Sequence, residues 1–140
     1  KGEFKYEPIY VIKYAYSTNG IDWVQPNITC IPNSYFEEAI TRPTVKIIAG
    51  EYHMWFCFRG SEDFRGGKNS FQIGYATSKE GTVWKREDEK GGLTPSGSGW
   101  DSNMTAYPYV TTDGKGDTIM FYCGNLFGQE GFGFARWNNE

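Results

Sequence analysis

The chain has 140 residues, of which 39% are hydrophobic and 18% aromatic, and this composition predicts a folded domain with a packed core. Seventeen acidic and 14 basic residues give a formal net charge of −3, without a basic block that could neutralise a run of phosphates, so nucleic-acid binding is not expected. No apolar run approaches the roughly 18 residues of a membrane span, and no membrane partner is expected.

The first 30 residues predict the end of a repeated unit of β-strands. Strands are expected at 8–17 and 21–24, separated by an Asn-Gly turn. The ten residues 14–23 match residues 75–84 position for position, with Tyr, Ala, Ser, Gly and Trp identical. The matched tryptophans, Trp23 and Trp84, are therefore predicted to be core residues of an outer strand.

Residues 37–88 predict one complete unit of four antiparallel strands. The strands are expected at 43–48, 52–58, 71–78 and 82–87. Between the second and third strands lies a polar, glycine-rich loop at 60–69, long enough to be either mobile or in contact with a ligand.

Residues 101–140 repeat the beginning of this plan as an incomplete unit with three recognisable strands. The hairpin at 103–125 matches the one at 37–59, including a proline near the start of the first strand, Pro43 or Pro108. Similarity at a period of tens of residues, with about four strands per unit, is typical of an all-β propeller. The chain would hold about two and a quarter blades, and open sheet edges would remain. We expect either further blades in a longer polypeptide or self-association through those edges.

The three cysteines do not predict a metal or cofactor site. None has the C-x-x-C spacing of a zinc or redox motif, and an odd number cannot pair completely. Cys57 and Cys123 hold matching places in the two hairpins and are predicted to be small core residues in a reducing compartment.

Several segments together resemble a known family. The segments TRPTV, YHMWF, IGYATS, GWDS, YPYV, MFYCGN and GFGFA are similar to the carboxy-terminal half of five-bladed β-propeller proteins related to glycoside hydrolase families 43 and 32. The resemblance covers nearly the whole chain. It implies a central funnel in which acidic residues on the innermost strands hydrolyse or otherwise process a carbohydrate. A non-catalytic sugar-binding or sugar-pathway propeller that lost its acids is the alternative, and whether the protein is a glycosidase stays open.

Two carboxylates are candidates for catalysis. Glycoside hydrolysis uses two carboxyl groups about 5–10 Å apart, and Glu38 and Asp101 each precede a strand proline by a few residues. Solvated loop carboxylates are the alternative interpretation. The positions directly before the two prolines, where the family usually carries an acid, hold Arg42 and Tyr107 instead.

The remaining site candidates are residues that could hold a sugar through a forked donor, an aromatic face or an amide. They are Arg42, Trp55, Arg59, Trp100, Tyr107 and Asn125. Arg42 has an alternative as a salt-bridge partner of Glu38 or Asp101. Because blade strands alternate in direction, His53 is predicted to be structural and to lie on the opposite face. The residues predicted to converge on one pocket are Glu38, Arg42, Arg59, Asp101, Tyr107 and Asn125.

Overall fold

The computed structural model describes residues 7–137, and seven antiparallel strands form its framework. They are β1 (Ala39–Ile48), β2 (Glu51–Arg59), β3 (Gln72–Ser78), β4 (Lys85–Arg86), β5 (Ala106–Thr112), β6 (Thr118–Cys123) and β7 (Phe132–Arg136). The first sheet has the order β1-β2-β3-β4, and the second has the order β5-β6-β7. The all-β prediction is confirmed.

Helical structure is minor in this part of the chain. It consists of the 3-10 turns Asp88–Lys90 and Gly99–Asp101 and the four-residue segment Asn125–Gly128. Within residues 7–137, no helix has the length and apolar character needed to cross a membrane.

The amino-terminal segment differs from its prediction. Instead of strands at 8–17 and 21–24, it forms two isolated bridges, Lys13 with Thr29 and Tyr16 with Val24. Pro26 lies between the bridges and has no N–H to donate, and Asn27 has a φ of 61°, so a continuous ladder cannot form there.

The two matched tryptophans have different surroundings. Trp23 is 59% exposed, so its assignment to the core is wrong. Trp84 is partly buried against the first hydrophobic cluster, and its indole N–H donates to the carbonyl oxygen of Gly81 at 3.0 Å.

The core consists of three hydrophobic clusters, one on each face of the first sheet and a third at one end of it. On one face, Met54, Phe56 and Ala76 pack with Ile12 and Ile31 from the amino-terminal segment. The other face packs against the second sheet through a cluster of Trp55, Ile73, Tyr75, Val110, Met120 and Tyr122. A third cluster, which contains Cys57, Phe64, Phe71, Met104 and Ala106, fills the space where β2 ends and β5 begins. This third cluster forms the floor of the candidate site.

Candidate functional site

The same irregularity occurs near the start of the first strand in each sheet. The strand register shifts across Pro43 in β1 and across Pro108 in β5. The residues before these prolines, Arg42 and Tyr107, have φ values of 55° and 57°. Residues other than glycine rarely adopt this left-handed conformation, which costs on the order of 1–3 kcal/mol. A β-bulge redirects a side chain out of the normal alternation of the strand.

The two bulges bring Arg42 and Tyr107 into contact. The guanidinium carbon of Arg42 lies 5.2 Å from the centroid of the Tyr107 ring. The backbone N–H of Tyr107 donates to the Sγ atom of Cys57 at 3.0 Å, which ties the start of β5 to β2. Cys57 is fully buried, and burial raises the pKa of its thiol to about 12, so the sulfur is neutral at pH 7.

A cavity of about 550 Å³ opens beside this pair. Small-molecule sites commonly have volumes of about 300–1,000 Å³. Five aromatic side chains form much of its wall: Tyr10, Phe64, Phe71, Tyr107 and Phe127. The Tyr107 and Phe127 rings stack at 6.3 Å with an interplanar angle of 23°, and Phe71 lies 6.0 Å from Tyr107. Phe71, Tyr107 and Phe127 therefore form one connected group of rings on this wall.

Phe127 reaches the cavity from a strained turn after β6. Leu126 and Phe127 have φ values of 51° and 60°, so the segment Asn125–Gly128 is not a regular α-helix. The backbone N–H of Phe127 lies 3.4 Å from the Sδ atom of Met104. Because Phe127 is 38% exposed, one part of its ring remains open to the cavity.

Arg59 places a buried positive charge behind the wall. It is only 2% exposed, and its guanidinium donates to the carbonyl oxygens of Gly60 and Pro8 at 2.8 and 2.9 Å. Its Nε–H has no hydrogen-bond partner among the described residues. Phe64 lies below the guanidinium at 3.8 Å. Burial lowers the pKa of Arg59, which nevertheless stays protonated because an arginine pKa starts above 12.

The loop at 60–69 contributes directly to the cavity. Phe64 is buried against Phe71 with their rings nearly perpendicular, at 88°. Arg65 extends outward and forms a bidentate pair with Glu7 at 2.8 and 3.1 Å. Among the described residues, Glu7 is the sole carboxylate on the cavity wall.

Glu38 is completely buried and does not line this cavity. Its carboxylate accepts two hydrogen bonds from Arg86, at 2.8 and 3.0 Å, and one from the backbone N–H of Ser34 at 2.6 Å. Burial alone would lower the pKa of Arg86, but its bonds to Glu38 and Asp88 raise it above the ordinary value. Glu38 is therefore neither a solvated carboxylate nor the partner of Arg42.

Asp101 also has structural partners. It is 9% exposed and accepts hydrogen bonds from the hydroxyls of Tyr122, at 3.0 Å, and Ser96, at 2.6 Å. Burial, reinforced by Asp101, raises the pKa of Tyr122 to about 12. Asp101 does not line the Arg42 cavity, and the predicted alternatives of a solvated carboxylate or a salt bridge to Arg42 are both wrong.

Trp55 and Trp100, which were predicted to offer aromatic faces to a sugar, instead pack against other parts of the protein. Trp55 is fully buried between the sheets. Trp100 stacks on Tyr122 at 5.3 Å and covers the backbone at Gly124, where a Cβ atom would lie 2.4 Å from the indole ring. Neither ring borders the Arg42 cavity.

His53 lies near the hairpin end of β2, whereas Arg59 ends the same strand at the cavity. The Nδ1 atom of His53 is 2.5 Å from the Tyr75 hydroxyl, and its ring stacks on Trp55 at 6.2 Å. These contacts give His53 a structural environment away from the cavity.

Asn125 holds two segments together. Its Oδ1 accepts hydrogen bonds from the backbone N–H groups of Asn103 and Met104, at 2.9 and 3.2 Å. Its Nδ2 donates to Gly99, Ser102 and Glu130. Asn125 borders a separate cavity of about 170 Å³.

The convergence prediction holds for half of its residues. The structure brings Arg42, Arg59 and Tyr107 to one cavity, whereas Glu38, Asp101 and Asn125 lie elsewhere.

Among the five aromatic residues of the wall, sequence reasoning identified only Tyr107 and missed the other four. Phe64 lies within the glycine-rich loop and Phe71 follows shortly after it, and both could have been found from that position, because an aromatic residue inside a polar loop can anchor the loop to a core. Phe127 could not be found in this way, since two consecutive left-handed residues leave no reliable sequence signal. No group of three or more His, Cys, Asp or Glu side chains suited to a metal ion occurs between residues 7 and 137.

Comparison with known proteins identifies the fold. One solved structure, named "Glycoside hydrolase", superimposes with a TM-score of 0.67 at 17% identity, over 91% of this chain and 36% of its own length. A second, described as a BT0996 RGII complex, has a TM-score of 0.61 at 16% identity, over 94% of this chain and 38% of its own. The chain thus shares the fold of part of a glycoside hydrolase. No family model matches the sequence.

Curated relatives extend the comparison at higher identity. Uncharacterized proteins from two strains of Mycobacterium tuberculosis are each 37% identical over 139 residues, or 99% of this chain. The match covers 44% of each relative, so this chain spans less than half the length of the curated proteins it resembles.

Proposed function

We propose that this protein is a glycoside hydrolase-like β-propeller that binds a carbohydrate in the cavity beside Arg42 and Tyr107, and that the two sheets are blades of that propeller. The observation that carries the proposal is the duplicated bulge, which directs the side chains of two strained residues to one aromatic cavity. Non-glycine residues held in sparsely populated backbone conformations are often found at active sites and ligand-binding sites. The likeness to a glycoside hydrolase fold supports a sugar as the ligand.

The aromatic wall suits the proposed ligand. A sugar ring has apolar C–H faces and a polar rim, and flat aromatic side chains offer apolar area against such faces. Tyr107 adds a hydroxyl, and Arg42 adds a fork of N–H donors that can hold vicinal oxygens.

The proposal favours binding over hydrolysis for the residues described. Hydrolysis needs two carboxyl groups about 5–10 Å apart across the scissile bond, and Glu7, the sole carboxylate on the described wall, is paired with Arg65. If the full-length protein is a glycosidase, carboxylates outside residues 7–137 must act. Hydrolysis of aryl glycosides that survives Glu38→Gln and Asp101→Asn would assign catalysis to such residues.

Titration of the full-length protein with a panel of mono- and disaccharides, followed by calorimetry, tests the proposal. Phe127→Ala should weaken the affinity for a bound sugar by about 0.5–1.5 kcal/mol, the contribution of one aromatic contact. Trp23→Ala is the matched control, because Trp23 is 59% exposed and does not line the cavity. Equal losses in both variants, or no binding of any sugar, would contradict the proposed site.

A further inference from the structure

The cavity beside Arg42 carries an excess of positive charge in an acidic protein. Its wall contains Arg42, Arg59 and Arg65 but a single described carboxylate, Glu7, whereas the protein as a whole has a net charge of −3. The Arg65–Glu7 pair accounts for one cation and one anion. Arg42 and Arg59 remain, and neither has a carboxylate within salt-bridge distance among the described residues.

Arg42 has its donors available. Among the described residues its guanidinium makes no hydrogen bond or salt bridge, and its cation–π contact with the Tyr107 ring uses none of the guanidinium N–H groups. The protein holds this side chain on a backbone with a φ of 55°, so its placement is specified at an energetic cost. An anion with two or three oxygens is the ligand that matches a guanidinium fork.

Arg59 adds a fixed field from behind the wall. Its guanidinium donates to the backbone carbonyl oxygens of Gly60 and Pro8, which carry no formal charge, and the one carboxylate that acts on it electrostatically, Glu7, is already paired with Arg65. Burial at 2% exposure reduces screening by water. The potential at the cavity therefore favours a negative group even though Arg59 does not need to touch it.

We propose that the ligand is a sugar with an anionic substituent, a carboxylate or a phosphate, which Arg42 binds while the stacked rings of Tyr107 and Phe127 contact the sugar. This inference rests on the proposed carbohydrate function. The aromatic wall distinguishes such a ligand from a bare inorganic anion, which gains nothing from apolar area.

The test uses the full-length protein and matched probes: glucose, galactose and mannose, the uronate and the 6-phosphate of each, and inorganic phosphate alone. At least one anionic sugar should bind roughly tenfold or more tightly than its neutral parent, and Arg42→Ala should weaken that binding by roughly ten- to a hundredfold. Raising the salt concentration should reduce the preference. Arg136→Ala is the matched control, since Arg136 pairs with Asp113 and Asp117 and does not line this cavity.

The outcomes separate the two proposals. Neutral and anionic sugars binding equally, with no change of their ratio in Arg42→Ala, would overturn the anionic inference and leave carbohydrate binding intact. Inorganic phosphate binding as tightly as the sugar phosphates, or no binding by any sugar, would overturn both. Uronates and phosphates that differ in affinity would identify which anionic group is recognised.

A second inference comes from a different surface, the outer face of the second sheet. Tyr109, Phe121 and Phe134 lie side by side across its three strands, and they are 61%, 38% and 58% exposed. Phe132, on the same strand as Phe134, is 74% exposed. We call these four residues the open aromatic face.

The strand registers identify the counterpart of this face in the first sheet. On either side of its bulge, β1 pairs with β2 through Thr41–Cys57 and Thr44–Trp55, and β5 pairs with β6 through Ala106–Cys123 and Tyr109–Phe121. Trp55 in the first sheet therefore holds the same register position as Phe121 in the second. By the same pairing, Tyr75 corresponds to Phe134 and Ile73 to Phe132. These counterparts are at most 3% exposed, because the second sheet covers them.

We infer that the open aromatic face docks a further sheet of the same repeat, contributed by the same full-length polypeptide. The first sheet shows how such a face is covered, and the curated relatives have more than twice the length that this chain matches. Phe134→Glu in the full-length protein should lower the Tm by roughly 4 °C or more, because it buries a charge. Val83→Glu, at a position that is 72% exposed and outside this face, should leave the Tm unchanged.

Sedimentation of the same variants decides the occupant. A lower Tm at unchanged molecular mass supports docking within one polypeptide. A dimer that Phe134→Glu converts to monomers would show that a second copy covers the face and would overturn the inference. An unchanged Tm would show that nothing covers the face and would also overturn the inference.

Discussion

Replacement of Arg42 by glycine is expected to leave the protein more stable than replacement by alanine. At a φ of 55°, a Cβ atom crowds the following carbonyl oxygen, which costs roughly 1–2 kcal/mol for any residue except glycine. Glycine loses roughly 0.5–1 kcal/mol more than alanine when its backbone is ordered. The difference predicts that the free energy of unfolding of Arg42→Gly exceeds that of Arg42→Ala by about 0.5–1 kcal/mol. Tyr107, with a φ of 57°, should behave in the same way.

Equilibrium unfolding in urea measures these differences in the full-length protein. The control is the pair Val45→Ala and Val45→Gly, because Val45 lies in the regular part of β1, opposite Met54, and is 47% exposed. There the glycine variant should be the less stable by roughly 0.5–1 kcal/mol. If glycine destabilises position 42 as it does position 45, the bulge stores no strain, and the reasoning from strain to function fails.

The remaining predictions concern stability at residues outside the cavity. Glu38→Gln should lower the free energy of unfolding by about 1.5–3 kcal/mol, because it removes one of the two carboxylates that pair with the partly buried Arg86 and leaves only Asp88. Calorimetric unfolding that shows no loss would contradict the buried pair. Gly124→Ala should lower the free energy of unfolding by about 1–3 kcal/mol, because the new methyl group would collide with the overlying Trp100. Gly114→Ala is the control: its Cβ position has open space around it, so its free energy of unfolding should change by no more than about 0.5 kcal/mol in the same denaturation assay. The pKa of Tyr122 is raised from 10.0 to about 12 in the folded protein, so stability is fully present below pH 10 and should fall as the pH rises from 10 to about 12. Tyr122→Phe should lose less stability above pH 10 than the unchanged protein, as measured by the unfolding midpoint at each pH. The same dependence of the midpoint on pH in both proteins would show that Tyr122 is not the group responsible.

The hairpins could be predicted from sequence because their signals are local. A proline near the strand start, a short glycine turn and an aromatic return strand all lie within about 20 residues, and β1, β2, β5 and β6 form where these signals occur. Even the proximity of Arg42 and Tyr107 follows from the repeat, since equivalent positions in adjacent sheets lie at the same end.

The roles of the acidic residues could not be predicted, because their partners are remote in sequence. Glu38 is neutralised by Arg86, and nothing near either residue signals that the Arg86 side chain reaches from β4 to the residue before β1. The exposure of Trp23 could likewise not be predicted, because its match to Trp84 carries no information about which segments pack on each tryptophan.

The two bulges share one backbone geometry but carry side chains of different chemistry. The proline and the register shift set the position from which a side chain leaves the strand, and the two sheets place unlike residues there, an arginine and a tyrosine. A substitution at one such position can change what the site recognises without altering the direction of approach or the neighbouring sheet. Repeats of this kind can therefore evolve, or be redesigned, one unit at a time, with each unit contributing a single exchangeable group to a shared site.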